Sequence, residues 1–452
     1  MDQVTPDSRN LNAVERFLSL FANVRPGEGG TALLLMANVF TVLTAYYIIK
    51  PVREALILGE AGAEVKSYAS AGQAALFLLI IPLYGMLASR VNRVWLINGV
   101  TTFFISNLVL FFALGRMGAA LGVVFYLWVG LFNLMLVAQF WAFANDVYTQ
   151  KRGERLFGVV GIGASLGAIF GALLAGWLFD PLGAYAMMLV SAALLLVCML
   201  LTNWIHRREK QQVEAAHAQR KIEVTERPLG SVGGFQLIFK SRYLLLVAVL
   251  VLLSNCVNTT GEFILGKTVA AQAQTMVAGS TEDEAAAAEK SYIGLFYADF
   301  FFWVNLVGAA LQMFLVSRIM QHFGTGIALL FLPIIALGSY AMLAFIPILS
   351  LIRVAKIAEN SADYSIQNTA RHALFLPTSR EAKYKAKSAV DGFFWRAGDA
   401  LSGIFVFAGT QLALSIRTFA GINVVLVVVW IVVAVAIVRQ LKNGTSATRI
   451  AA

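Results

Sequence analysis

The chain has 452 residues, enough for about three soluble domains of roughly 150 residues each. However, 59% of the residues are hydrophobic and only 13% charged, with a mean hydropathy of +0.74. Soluble domains carry about 25% charged residues, so a soluble fold is excluded. With 32 Phe, nine Pro and two Cys, disorder, collagen and a disulfide scaffold are excluded as well. The net charge of +10 would suit nucleic acid, but the 35 Lys and Arg fall in short loops between apolar runs. That is the pattern of a membrane protein marking its cytoplasmic side, so the expected partner is a lipid bilayer and not nucleic acid.

The first thirty residues hold Asp2, Asp7, Glu15 and Glu28 and no opening apolar core, unlike a cleavable signal peptide. Val14, Phe17, Leu18 and Phe21 recur at helical spacing, which predicts a short amphipathic helix. A membrane span takes about 20 mostly apolar residues. Such runs lie near 31–58, 68–89, 94–115, 120–145, 156–179 and 184–205. A second set lies near 243–270, 291–316, 326–346, 348–370, 388–412 and 418–438. The prediction is an all-α polytopic membrane protein of twelve transmembrane helices in two six-helix halves. Its divisions are a cytoplasmic segment 1–30, a first half 31–205, a cytoplasmic linker 206–242, a second half 243–438 and a cytoplasmic tail 439–452. The expected location is the inner (plasma) membrane. With both termini inside, 25 Lys and Arg fall on the inside, seven on the outside and three within spans. That bias orients the chain.

The chain also echoes itself. The stretch Arg16-Phe-Leu-Ser-Leu-Phe21 before the first span has its counterpart in Gly234-Phe-Gln-Leu-Ile-Phe239 before the seventh. The loop 85–93 after span 2 corresponds to 317–324 after span 8. Paired repeats of this kind are common among transporters.

Ionisable groups at membrane depth are expensive and mark candidate sites. In span 1, Lys50, Arg53 and Glu54 share one helical face, with Pro51 between them. They read either as an anion-binding patch or as interfacial anchors. Span 7 carries Asn255, Asn258, Thr259, Thr260, Glu262 and Lys267. Glu262 reads as a proton-coupling group, as a counter-charge to Arg53, or as a static partner of Lys267. In span 10, Arg353, Lys356, Asn360, Asp363 and Gln367 draw a polar stripe, with Glu359 beside it. A water-lined face and a structural ladder Lys356–Glu359–Asp363 are both open readings. Arg396 and Asp399 form an i, i+3 pair in span 11. Gly158, Gly161, Gly163, Gly167 and Gly171 give span 5 a small-residue stripe that allows close helix contact. Gly163-Ala-Ser-Leu-Gly167 also matches a nucleophile elbow, but such a Ser needs a strand-to-helix turn. No P-loop and no HExxH occurs, and the four His lie in loops. No metal, no cofactor and no enzymatic role is expected.

Several stretches carry a family resemblance. Gly85-Met-Leu-Ala-Ser-Arg90-Val-Asn-Arg93 resembles the motif between helices 2 and 3 of the major facilitator superfamily, with Ser89 at its usual acidic position. Three further stretches resemble the ATP/ADP translocase family of nucleotide transporters: Ile48-Ile-Lys-Pro-Val-Arg53-Glu54, Phe140-Trp-Ala-Phe-Ala-Asn145 and Lys383-Tyr-Lys-Ala-Lys-Ser-Ala-Val-Asp391. The resemblance implies that Arg53 stands where the family has a substrate-contacting lysine, and Glu262 where it has an acidic residue in helix 7. Either Lys385 or Lys387 falls on a nucleotide-contacting lysine. The family's carboxylate in helix 4 falls near Val129, where Asn133 is the polar substitute. The expected function is secondary transport of an anionic solute, a nucleotide or another phosphorylated metabolite, by exchange or proton coupling, with a monomer as the working unit. Lys50, Arg53, Glu262, Lys267, Arg353, Lys356, Lys385 and Lys387 are the candidate substrate contacts. Glu54, Asn145, Glu359, Asp363, Asp391, Arg396 and Asp399 are the candidate coupling or gating groups. An intramembrane lipid-handling protein or enzyme is the alternative.

Overall fold

The computed structural model describes residues 12–19, 24–88, 91–148, 150–216, 234–277, 281–379 and 382–443. The described chain is helical almost throughout. It opens with α1 (Ala13–Leu18), α2 (Gly29–Glu60), α3 (Gly62–Ala88), α4 (Arg93–Arg116), α5 (Gly122–Val147) and α6 (Gln150–Ala216). After a gap come α7 (Gly234–Lys240), α8 (Arg242–Met276), α9 (Glu282–Leu311) and α10 (Ser317–Phe345). The last group is α11 (Leu349–Ala362), α12 (Asn368–Ala373), α13 (Lys387–Ala389), α14 (Trp395–Gln411) and α15 (Ile416–Asn443). Four π-helical turns, at Gln312–Val316, Asp363–Gln367, Ala382–Ala386 and Val390–Phe394, join segments of this last group and of α9 and α10 into continuous helices.

Two glycines break the longest helices. Gly183 inside α6 has φ 72° and ψ 167°, and Gly324 inside α10 has φ 73° and ψ 171°. Only glycine adopts this conformation at no steric cost. Divided at these glycines, α6 and the continuous helix through α9 and α10 each supply two segments. Among the described residues, seven helical stretches are long and apolar enough to cross a membrane, the two broken ones counted whole.

The helix starts follow local chemistry. Asn92 accepts a hydrogen bond from the Val94 amide at 3.1 Å and begins α4, and Ser241 does the same for α8 through Leu244. At the amino-terminal end, Glu15 accepts from the Gly27 amide at 2.7 Å and Leu18 is buried. The side chains of Val14 and Phe17, and Phe21, lie outside the described residues, as do Ser89 and Arg90 of the loop motif. The segment 206–242 is entered by α6, which runs on to Ala216, and left through α7.

Glycine sets the tightest helix contacts. A Cβ at Gly163, Gly167 or Gly171 of α6 would lie 2.4 to 2.7 Å from the carbonyl oxygens of Met36, Phe40 and Thr44 on α2. The stripe therefore lets two backbones touch. Gly398 of α14 makes the matching approach to α8, where a Cβ would meet the Leu252 carbonyl at 2.6 Å. Gly158 and Gly161 lie on other faces of α6 and look into open space, so only Gly163, Gly167 and Gly171 of the expected stripe make the contact.

One boundary differs from the sequence reading in a way that matters. Span 2 was expected from residue 68, which left Lys66 in an outer loop. Instead α3 begins at Gly62, one residue after α2 ends, because Gly62 takes φ 84° and reverses the chain at once. Lys66 then lies inside a helix and is buried at 5% exposure.

Candidate functional site

Helix α2 carries Tyr46, Lys50 and Arg53 at spacings of four and three, so all three point to one side. That side borders a cavity of about 240 Å³. Its walls come from α2, α3 and α5 on one flank and from α8, α9, α11, α14 and the π turn Asp363–Gln367 on the other. The lining includes Lys50, Arg53, Lys66, Glu262, Asp363, Arg396 and Asp399, with Tyr46, Tyr126, Phe301, Tyr364 and Trp395 supplying aromatic surface.

The charges form a chain across the floor. Arg53 bonds Glu54 through its Nε at 3.0 Å and also through its terminal nitrogen. The other Glu54 oxygen lies 2.6 Å from Lys66 Nζ. Lys66 reaches Glu262 at 4.0 Å, and Glu262 lies 3.6 Å from Lys356. Lys356 in turn meets Glu359 at 2.8 Å and donates to Asn258 Oδ1 at 2.8 Å. At 1% exposure, Lys356 could not stay charged without these acceptors. Tyr340 donates to Glu359 at 3.0 Å, and Asn360 donates to Glu262 at 3.0 Å. On the facing wall Asp399 accepts from Asn255 and Thr259 at 2.8 Å each and pairs with Arg396 at 3.0 Å.

Two charged groups stand apart from this chain. Lys50 is 6% exposed, and among the described residues no carboxylate comes within ion-pairing reach of it. Its ammonium sits among rings, 3.9 Å from the centroid of Phe301, 4.9 Å from Tyr47 and 5.7 Å from Tyr46. Ring faces attract a cation without neutralising it. Asp363 is the second: its backbone is hydrogen-bonded within the helix, but its carboxylate takes part in none of the hydrogen bonds or ion pairs among the described residues.

The remaining candidates lie elsewhere. Lys267 leaves Glu262 and pairs with Glu64 at 2.8 Å, so the static Glu262–Lys267 pair does not form. Arg353 bonds Asp299, and the two are among the more exposed of the paired charges. Lys387 pairs with Asp391 at 2.7 Å, with Arg371 at 3.9 Å from the same carboxylate. Lys385 is half-buried and Asn145 exposed, and neither borders the cavity. Residues 380–381 lie outside the described set.

Sequence reasoning missed Lys66 and the aromatic walls. Lys66 looked like a loop charge because the reversal at Gly62 is so short. The aromatics gave no signal, since a chain with 32 Phe and 13 Tyr has rings on every face.

Comparison with known proteins agrees with this architecture. The chain is 22% identical over 324 residues to ADP,ATP carrier protein 1 of Chlamydia muridarum, an alignment covering 63% of this chain and 58% of that one. The chain thus spans a little over half the length of the chlamydial relatives it matches. It is 24% identical to ADP,ATP carrier protein 5 of Rickettsia bellii, with 95% of this chain and 96% of the relative covered. Among solved structures, nucleoside transporter NupG superposes with a TM-score of 0.61 at 14% identity, covering 91% of this chain and 99% of NupG. A peptide transporter of the POT family, solved with sulfate, gives a TM-score of 0.62 at 12% identity, covering 95% of this chain and 99% of that one. These structures share the fold. The model of the Major Facilitator Superfamily matches residues 32–358, well over half of the chain, and with the helical bundle around a central charged cavity this establishes that the chain belongs to that superfamily.

Proposed function

We propose that the protein is a secondary transporter of an anionic, phosphorylated solute, with nucleotides as the leading class, working by alternating access. The observation that carries the reading is Lys50, a buried cation on the cavity wall with rings around it and no carboxylate to neutralise it. Arg53, three residues on, also faces the cavity. Lys66 holds the other oxygen of Glu54 at 2.6 Å, so that carboxylate keeps one cation when Arg53 turns to a phosphate. Arg binds phosphate through two parallel hydrogen bonds and Lys as a point charge. The names of the chlamydial and rickettsial relatives support nucleotides, and the superfamily favours a transporter over an enzyme. Purified protein in liposomes should accumulate labelled ADP, faster with nucleotide trapped inside if exchange is the mode and faster with an inward proton gradient if coupling is. Uptake equal to that of protein-free liposomes under both conditions would overturn the reading.

The proposal includes the topology: twelve spans in two six-helix halves, a cytoplasmic linker 206–242, both termini inside, and the inner membrane as location. Support comes from the 25-to-7 bias of Lys and Arg. Ala286, at the exposed start of α9, is then extracytoplasmic. Ala286→Cys should react with an impermeant thiol reagent added to spheroplasts. The native Cys198 and Cys256 are both buried and give a low background. Labelling only after the membrane is breached would reverse the orientation.

In this topology Glu60–Lys290 and Glu64–Lys267, at 2.8 Å each, clasp the two halves on the extracytoplasmic side. Asp180 accepts from Ser291 nearby at 2.7 Å. Partly exposed pairs contribute about 0.2–1 kcal/mol each, enough to bias an alternating equilibrium. Lys267→Ala with Lys290→Ala should raise the outside reactivity of a cysteine placed at Ser67, in the cavity, by a few-fold to about tenfold. The swap Glu64→Lys with Lys267→Glu should restore the low reactivity. Glu60 is left in place because it also accepts from the Leu121 and Gly122 amides that start α5.

A further inference from the structure

Among the described residues, ten Lys, Arg, Asp and Glu side chains stand in or directly behind the central cavity. They comprise five cations (Lys50, Arg53, Lys66, Lys356, Arg396) and five carboxylates (Glu54, Glu262, Glu359, Asp363, Asp399). Eight are engaged with one another. Lys50, one of the remaining two, carries the functional reading above, and that reading leaves Asp363 unused. Arg371 and Lys356 act on the Asp363 carboxylate from beyond ion-pairing distance, and among the described residues no protein group donates a hydrogen bond to it, which is costly at membrane depth. A bound ligand would have to supply what the fold withholds.

The local backbone singles out the same residue. Asp363 opens the π turn Asp363–Gln367 between α11 and α12. Single π turns inside helices cluster at functional sites. Asp363 lines the central cavity and also a small recess bordered by Asn258, Glu359 and Trp430. Of the two cations that act on it, Lys356 is committed to Glu359 and Asn258, and Arg371 lies 4.5 Å from the Trp395 ring and 3.9 Å from Asp391. The next residue, Tyr364, is a wall shared by the central cavity and a second one of about 200 Å³. That second cavity is polar but uncharged, with Ser165, Asn305, Gln312, Asn368 and Thr369 on its surface.

We propose that Asp363 recognises the end of the solute opposite its phosphates by accepting two hydrogen bonds from a vicinal pair of sugar hydroxyls. The inference rests on the reading of the cavity as an anion site and deepens it. An ionised carboxylate accepts hydrogen bonds and donates none, so it repels a bare phosphate or pyrophosphate and welcomes paired donors. Carboxylates hold ribose hydroxyls in the same manner in dinucleotide-binding folds. The solute class is therefore an anion that also carries a sugar diol, with its uncharged ring end directed past Tyr364 into the second cavity.

The test is direct binding of ADP, 2′,3′-dideoxy-ADP and pyrophosphate to the purified full-length protein and to Asp363→Ala. The parent should bind ADP at least about tenfold more tightly than the dideoxy compound, the range of a hydrogen bond to a charged group. Asp363→Ala should bring ADP down to the dideoxy level, leave the dideoxy compound within about twofold of the parent, and leave pyrophosphate unchanged or tighter. If Asp363→Ala does not fold, Asp363→Asn, which keeps the shape, carries the same comparison. An equal loss for all three ligands would make Asp363 structural and overturn the proposal. So would loss of ADP and dideoxy-ADP together with pyrophosphate retained, which would place the carboxylate on the base. A parent that binds none of the three defeats the functional reading itself. A parent that binds ADP and dideoxy-ADP equally defeats only this inference.

Discussion

Lys50→Ala is expected to weaken binding of ADP and pyrophosphate alike by about ten- to more than hundredfold, equivalent to the 1.5–3 kcal/mol of a charge-assisted hydrogen bond. The loss is large because Lys50 has nothing else to do in the fold. Its neighbours are the rings of Phe301, Tyr47 and Tyr46, so removal strands no carboxylate and stability should hold. Arg53→Ala should also reduce affinity, but with a smaller specific component, since it breaks the Glu54 bonds and loosens the packing on Tyr126, whose ring lies 4.8 Å from the guanidinium. Calorimetric titration of both variants at two salt concentrations decides the matter. If Lys50→Ala binds both anions as the parent does, Lys50 is only a packed cation and the cavity reading loses its main support.

The largest structural effect is expected at Gly167. There α6 and α2 approach so closely that a Cβ would stand 2.4 Å from the Phe40 carbonyl oxygen and 2.8 Å from its Cα. Both atoms are backbone and cannot rotate away. Thr44 Oγ1 also approaches the Gly167 carbonyl, at 3.3 Å, and would be pulled out of register. Overpacking a well-filled contact costs about 1–3 kcal/mol and sometimes more, and here the intruding side chain separates two long helices. Gly167→Leu should therefore lower the thermal midpoint of the purified protein sharply and abolish transport. Gly158→Leu, on the opposite side of α6 and facing open space, and Leu166→Ala, at an exposed position, should change little. Equal stability for all three would remove the helix-contact argument.

The comparison of these two sites shows where sequence reasoning reaches. Gly163, Gly167 and Gly171 announce a close helix contact by their period alone, because small residues four apart must share a face. What they cannot announce is the partner, and only the packed structure shows α2 against them. The polar run of α8 likewise predicted a face turned away from lipid. That Asn255 and Thr259 serve Asp399, while Asn258 serves Lys356, depends on how α8, α11 and α14 meet. Glu262 and Lys267, five apart on one helix, could not pair along it, and each found its partners on another helix.

Composition, apolar run length and charge bias by themselves determined that this is an all-helical membrane protein with ionisable groups in its spans. Those features answer to the bilayer, which acts on each segment separately. Which charges are neutralised and which remain free was decided only by tertiary structure. Pairing depends on distances between residues far apart in the chain, such as Lys66 to Glu262 or Glu262 to Lys356. Lys50 and Asp363 looked no different from their neighbours in the sequence. They became distinct only when folding matched every other charge in the cavity with an opposite one and left these two facing the space between the helices.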